Sequence, residues 1–501
     1  MVVAVSSICQ QPCKFSPRDN RCRHFQSRSA DPSEQHRPCW WLRQQLRIAN
    51  RKLQERHAEL DALRRAKTEK YVPPWASEAR LIHHQFSARI IAMCCCLAVV
   101  IGFRAVPKVL QIINRCLELD IPVPSRDAVR LWNCRNGVAI LQEAKKVTGW
   151  IWMIDHSVQL GKMCVLVVLG IHKDNIPRNR PLRRSDMTVL AVSPAPSRSK
   201  EEVRKQLLAV AHEFGHPFAT ICDGASELRE AVATLKNEEF SGLCLYDTRH
   251  RIAARLKIVP GKSDRWIEFE GKVGCTIAQL QQTELDHLMP PARKQKCRFM
   301  NLHRIVRWST DVLNRLRASN CPARVREKLA WVEGFKTEIT EWSQACEMID
   351  RTLEQANEKG AWEGASEALR FELSKLPACS RWVKNMRAEL IQIVAANESQ
   401  LKALEIPGLV LPASTEVLES SFGSFKAIQR THCRGTFTSL LATFATLFDQ
   451  CTPEKIRARF QRVGCRELQA WITGAGLRDS TQTRRMRSAS ESRRKQANTQ
   501  V

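Results

Sequence analysis

Three acidic residues stand where chemistry could happen: Asp155, Asp223 and Glu419. Asp155 ends the apolar run GWIWMID (149–155), and Asp223 ends a second one, FATICD (218–223). Glu419 opens an amphipathic helix and is followed seven residues later by Lys426. Carboxylates delivered by two strand ends and a helix can hold two divalent metal ions. Such a pair breaks and joins phosphodiester bonds with water or a sugar hydroxyl as nucleophile. A second constellation competes. His212-Glu213-Phe214-Gly215-His216 is a literal H-E-x-x-H, which on a helix would put two zinc ligands on one face with Glu213 as base. Pro217 and a strand pattern follow at once, however, so the helix ends at the second histidine. Ala219 and Cys222 also stand where the extended motif has Gly and His, leaving a distant Glu such as Glu230 as third ligand.

Composition narrows the choice. A chain of 501 residues predicts two to four domains, and 44% hydrophobic residues suffice for a sizeable core. The net charge of +28, from 79 Lys and Arg against 51 Asp and Glu, points to a polyanionic partner, with DNA or RNA first. The start MVVAVSSICQQPC has no basic segment leading into an apolar core, so no secretory signal is expected and a cytoplasmic location is. Of the 20 cysteines, Cys94, Cys95, Cys96, Cys164, Cys222 and Cys244 lie in apolar runs, where they behave as small hydrophobes of a reducing compartment. Cys9, Cys13, Cys22, His24, His36 and Cys39 match no familiar zinc spacing. The stretch IIAMCCCLAVVIGF (90–103), bracketed by Arg89 and Arg104, is too short for a membrane span and reads as a buried helix.

The elements that must position the acids follow from periodicity. Residues 1–39 read as disordered. Within 40–79, Leu46, Leu53 and Leu60 recur at heptad spacing, interrupted on the companion seam by Arg56. A short coiled coil or a solvated helical arm both fit. Residues 80–136 predict helices over about 86–101, 106–118 and 126–135, the last capped by Ser125. A helix-turn-helix with Arg126, Arg130 and Arg135 facing DNA and an ordinary three-helix bundle both fit, and the basic charge favours the first. Over 147–257 the order is β-β-β-α-β-α-β-α, with strands at 149–155, 163–171, 187–192, 218–222 and 242–246. A meander of three strands with parallel additions sets the first and fourth side by side, with Asp155 and Asp223 at their carboxyl ends. Residues 258–410 predict a helical insertion, 411–450 a returning amphipathic helix pair, 451–477 a further helical segment, and 478–501 a basic disordered tail. Arg293, Lys294, Lys296 and Arg298 in the insertion are candidates for phosphate contacts, or an ordinary solvated loop.

With acids on the first strand, after the fourth, and on a late helix, this order resembles the RNase H-like fold of DDE transposases and retroviral integrases. ICDGASELREAV (221–232) is similar to the second-aspartate segment of bacterial insertion-sequence transposases, and LYDTRHRIAARLK (245–257) to the strand and helix that follow it there. STEVLESSFGSFK (414–426) resembles their third-acid helix, and QQTELDHLMPP (281–291) and RFMNL (298–302) are also similar to segments of related transposases. The resemblance covers roughly 80–450. It departs at the third-acid helix, where a well-known version places Tyr and Arg before the Glu; Pro412 and Thr415 stand there instead. That leaves Glu416, one turn before Glu419, as a rival third acid.

The resemblance implies a multidomain α and α/β protein: an RNase H-like mixed five-stranded sheet with flanking helices, interrupted by a helical insertion and preceded by a helical DNA-binding region. It implies a transposase that binds the terminal repeats of its own element and cleaves and transfers strands with two Mg²⁺ or Mn²⁺ ions. Asp155 would bridge both ions, Asp223 and Glu419 would each complete one site, and Lys426 would hold a phosphate. The implied partners are double-stranded DNA, both terminal repeats and target, and at least a second copy of the chain on paired ends. The implied location is the bacterial nucleoid, with no membrane. The alternatives are a catalytically decayed or domesticated transposase that only binds DNA and, further off, the zinc metallopeptidase. A tyrosine recombinase fits poorly, because the only tyrosines are Tyr71 and Tyr246.

Overall fold

The heptad leucines near the amino terminus fall in one long helix, α1 (Cys39–Thr68). The computed structural model describes residues 39–68, 78–160, 163–236, 240, 242–258, 263–292, 302–431 and 440–477. The chain divides into two compact units, Met1–Ala79 and Arg80–Val501. In the first, every residue of α1 from 44 to 64 is exposed, so Leu46, Leu53, Leu60 and Leu63 lie open to solvent.

The second unit begins with α2 (Ala88–Ile101), whose first turn is capped by Ser87 accepting from Ile90 N. Gly102 ends it, and α3 (Ala105–Leu117) leaves at a bend of 115°. Among the described residues no single helix is long and apolar enough to cross a membrane. Ser125 caps α4 by accepting from Ala128 N, as expected, but α4 (Arg126–Leu141) continues well past Arg135. From Trp132 to Leu141 every one of its residues is buried. A recognition helix needs a face open to the groove, and α4 keeps only its first turns open.

The sheet follows. Strands β1 (Trp150–Leu160), β2 (Met163–His172) and β3 (Thr188–Ala195) form the antiparallel meander. Ser199 caps α5 (Lys200–Phe214), which leads to β4 (Pro217–Cys222); α6 (Ser226–Ala233) leads to β5 (Cys244–Tyr246), and α7 (Thr248–Ile258) leaves it. The spatial order is β3-β2-β1-β4-β5, with β4 parallel to β1 and β5 parallel to β4. Strand alternation sends Trp150, Trp152 and Ile154 into a core with α5 and α6, formed with Val203, Leu207, Leu228 and Val232. Ile151, Met153 and Asp155 therefore point to the opposite face, which the late helix Glu416–Thr431 reaches by packing on β1.

The segment 258–410, expected as a helical insertion, is mainly helical in its described residues, with turns and one isolated β-bridge, Ala361 to Leu411. It comprises α8 (Asp264–Leu280), α9 (Leu302–Arg317), α10 (Ala323–Leu329), α11 (Lys336–Glu358), α12 (Ala365–Ser374) and α13 (Arg381–Lys402). Its apolar core, which also takes in Ile252 and Leu256 of α7, has Trp266, Phe269, Phe335 and Trp342 in edge-on contact at centroid distances of 4.9 to 5.4 Å. The chain then returns in α14 (Glu416–Thr431). The second member of the expected helix pair is instead a short 3-10 segment, Leu441–Leu447, that packs closely on α4. Gly137 makes this approach possible, since a Cβ there would meet Ala442 O at 1.8 Å. Two further helices, α15 (Pro453–Arg462) and α16 (Cys465–Gly474), pack on α4, and α15 also packs on α2. There the buried Arg459 pairs with Glu143 and Asp449 at 2.6 and 2.7 Å.

Candidate active site

The site starts from strand register. Parallel pairing of β1 with β4 ends at Ile154 opposite Cys222, and the next residues along the two segments are Asp155 and Asp223. The sequence predicted Asp155 at a strand end. Instead β1 runs on to Leu160 against β2, with Asp155 opposite Val167. Asp155 marks the point where β4, not β1, stops. Asp223 is held by its own turn, its Oδ1 accepting from Ala225 N at 2.9 Å. Gly224 in that turn has φ +86°, and a Cβ there would fall 2.2 Å from the Tyr246 ring on β5. Only glycine permits that approach.

Electrostatics follow from this placement. Burial, and then the nearby charge of Asp223, push the Asp155 carboxyl up to about 7, with His250 opposing and Glu419 adding a smaller rise. Glu419 lies in the first turn of α14, its N–H bonded to Thr415 O. Burial raises its pKa, and His250 opposes the rise. His250 stands between the acids. Its Nε2 is 3.3 Å from Glu419 Oε1 and its Nδ1 3.5 Å from Asp247 Oδ1. The second separation is long for a hydrogen bond, and Nδ1 is buried with no better partner among the described residues. The contact is an ion pair. Burial works against the His250 charge, but Asp247, Glu419 and Asp223 together raise it to about 9.

Asp247 is fully buried. Its Oδ1 caps α7 by accepting from His250 N at 2.9 Å, and its Oδ2 accepts from both Thr415 N and Thr415 Oγ1. The rival acid Glu416 is engaged elsewhere, by Arg249 and Asn357, each at 2.7 Å. On the insertion, Asn397 bonds both the N–H and the C=O of Tyr246 with its amide, closing the edge of β5 as a neighbouring strand would.

The acids fit a hard divalent cation by chemistry, being carboxylates only, and the repulsion between Asp155 and Asp223 is what such an ion relieves. They do not form a closed ligand set. Among the described residues no group of three His, Cys, Asp or Glu side chains is close enough to hold an ion. Asp155 and Asp223 are adjacent, while Glu419 is drawn to His250.

The other sequence candidates divide. Lys426 lies two turns along α14 from Glu419, its Nζ 6.0 Å from the Phe422 ring centroid. Arg126 and Arg130 are on the open first turns of α4, both beside Asp127. Arg135, expected to face DNA, is 6% exposed. It donates to Val463 O and Phe460 O and stacks on Phe460, so packing by the carboxyl-terminal helices has removed it from the surface. Arg293, Lys294, Lys296 and Arg298 lie outside the described residues, as do the amino-terminal cysteines up to Cys22, His24, His36 and the basic tail. In the H-E-x-x-H stretch, α5 closes at Phe214 and Gly215 takes φ +94°, so His216 is not on the helix that carries His212 and Glu213.

Sequence reasoning missed Asp247, His250, Gly224 and Asn397. One signal was there to read: an Asp before Thr-Arg-His at a helix start is a capping pattern. Its partner Thr415 lies far along the chain and leaves no local trace. The chain matches no family model and no curated protein.

Proposed function

We propose that this chain is a DDE-type DNA transposase with an RNase H-like catalytic core, acting on the ends of its own element. The observation that carries the reading is the sheet order β3-β2-β1-β4-β5. It makes Asp155 and Asp223 neighbours across a parallel strand pair, and α14 brings Glu419 to the same face after a helical insertion. The net charge of +28 supports a nucleic-acid partner.

Asp155, Asp223 and Glu419 would hold Mg²⁺ or Mn²⁺, which when bound supplies an activated water or 3′-hydroxyl and a stabilised leaving oxygen. The protein's own part is placement. The β1–β4 pairing, which ends one residue before each of them, sets the two carboxylates side by side. His250 keeps a positive charge beside Glu419 at neutral pH. Lys426, two turns along α14, and Arg126 and Arg130 offer phosphate contacts. A second reading, a DNA-binding protein that no longer cuts, is favoured by one observation: Glu419 is paired with His250 rather than gathered with the other acids.

Cleavage of a supercoiled plasmid bearing the element's ends decides between them. Wild-type protein with Mg²⁺ or Mn²⁺ is expected to nick it. Asp155→Ala, Asp223→Ala and Glu419→Ala are each expected to lower the rate at least about 100-fold, and Glu416→Ala and His212→Ala to spare it. Wild-type protein that binds the ends without nicking them supports the second reading. Nicking that survives loss of Asp155 or Asp223 rejects the site.

A further inference from the structure

We infer that Asp247 is a positioning residue of this site and sets where Glu419 stands; the inference rests on Glu419 being the third acid. In sequence, the gap between Asp223 and Glu419 is nearly three times that between Asp155 and Asp223, and an entire helical domain fills it. A side chain delivered across such a gap needs its own tie to the sheet.

Asp247 is that tie. Its backbone N–H donates to Cys222 O at 2.9 Å, one residue before Asp223. Its Oδ2 accepts from the N–H and the hydroxyl of Thr415, the residue that precedes α14. Thr415 O in turn accepts from the N–H of Glu419 at 3.1 Å. A short run of hydrogen bonds thus leads from the end of β4 through one side chain to the backbone of Glu419. The adjoining pairs run the same way: Thr248 N donates to Ala413 O at 3.0 Å, Arg249 pairs with Glu416, and His250 meets Glu419. Asp247 and Thr415 both have no exposed surface. A carboxylate placed there must be satisfied to be tolerated; the His250 N–H of α7 serves one of its oxygens, and the Thr415 N–H and hydroxyl, just before the third-acid helix, serve the other.

Loss of a group that hydrogen-bonds a metal ligand from outside typically costs 10- to 100-fold in metal affinity; Asp247 acts one step further out, through Thr415 and His250. Thr415→Val removes the hydroxyl at nearly constant volume, and Thr415→Ser retains it. The test is Mn²⁺ titration of the full-length variants, read by the electron paramagnetic resonance of the free ion, with circular dichroism and melting as a check on folding. Thr415→Val is expected to weaken Mn²⁺ binding about tenfold, Thr415→Ser to bind as wild type, and both to keep the wild-type spectrum. Asp247→Asn, if it folds, is expected to weaken binding at least as much as Thr415→Val.

Wild-type Mn²⁺ affinity in Thr415→Val, alongside loss in Glu419→Ala, overturns the positioning role and leaves the metal site standing. Equal weakening in Thr415→Val and Thr415→Ser also overturns it, since the hydroxyl then has no special part. Unchanged binding in Glu419→Ala removes Glu419 from the site, and the inference falls together with the functional reading.

Discussion

Asp155 is the residue on which the electrostatics turn. Its folded-state pKa of about 7 lies above the ordinary carboxylate value of 3.8. The folded protein therefore holds a proton that the unfolded chain releases, and its stability falls as pH rises from about 4 through about 7. Asp155→Asn removes that penalty. In metal-free buffer we expect the variant to melt with the wild type at pH 4 and above it at pH 8, by on the order of 2 kcal/mol. Equal melting at pH 8 would show that Asp155 carries no such strain. At this scale the sequence was readable where chemistry is local. An acid closing an apolar run marks Asp155 and Asp223 without knowledge of the fold. Asp247 and His250 escaped because their partners, Thr415 and Glu419, are joined to them only by folding. Arg135 was misread for the same reason: its basic helix start is local, while the carbonyls of Phe460 and Val463 that bury it are not.

Among the elements, alternation and caps placed the strands and most helices close to where they form. Ser125 and Ser199 open the helices expected of them. Two features could not be read. β1 extends five residues past Asp155 because β2 pairs with it there, and the polar HSVQL segment gives no apolar signal. α4 continues to Leu141 because the segment Leu441–Leu447 covers it. That second contact yields a prediction. Gly137→Ala places a methyl against Ala442 O, where no flexible side chain can give way. Overpacking of this kind is expected to cost about 2 kcal/mol or more, read as a lower denaturation midpoint with an unchanged slope. An unaltered midpoint would mean that α4 and the 441–447 segment do not meet as described.

For the whole molecule, segments distant in sequence close on one another. α2 and α4 pack with α15, and the insertion docks on β5 through Asn397. Composition anticipated the helical insertion, whose Trp, Leu and Glu pattern is periodic, but not these junctions. The charge of +28 makes a prediction at this scale. Affinity for duplex DNA is expected to fall at least about tenfold between 50 and 200 mM salt, measured by fluorescence anisotropy. A flat salt response would argue against phosphate-dominated binding.

Asp155 is, as proposed, a metal ligand during DNA cleavage. Asp155→Cys tests it directly, because a thiolate accepts Mn²⁺ more readily than Mg²⁺. The measurement is the rate of plasmid nicking by this variant in each metal. Loss of nicking in Mg²⁺ and recovery of a substantial part in Mn²⁺ are expected, with no such split in the wild type. Full activity of Asp155→Cys in Mg²⁺ would contradict it.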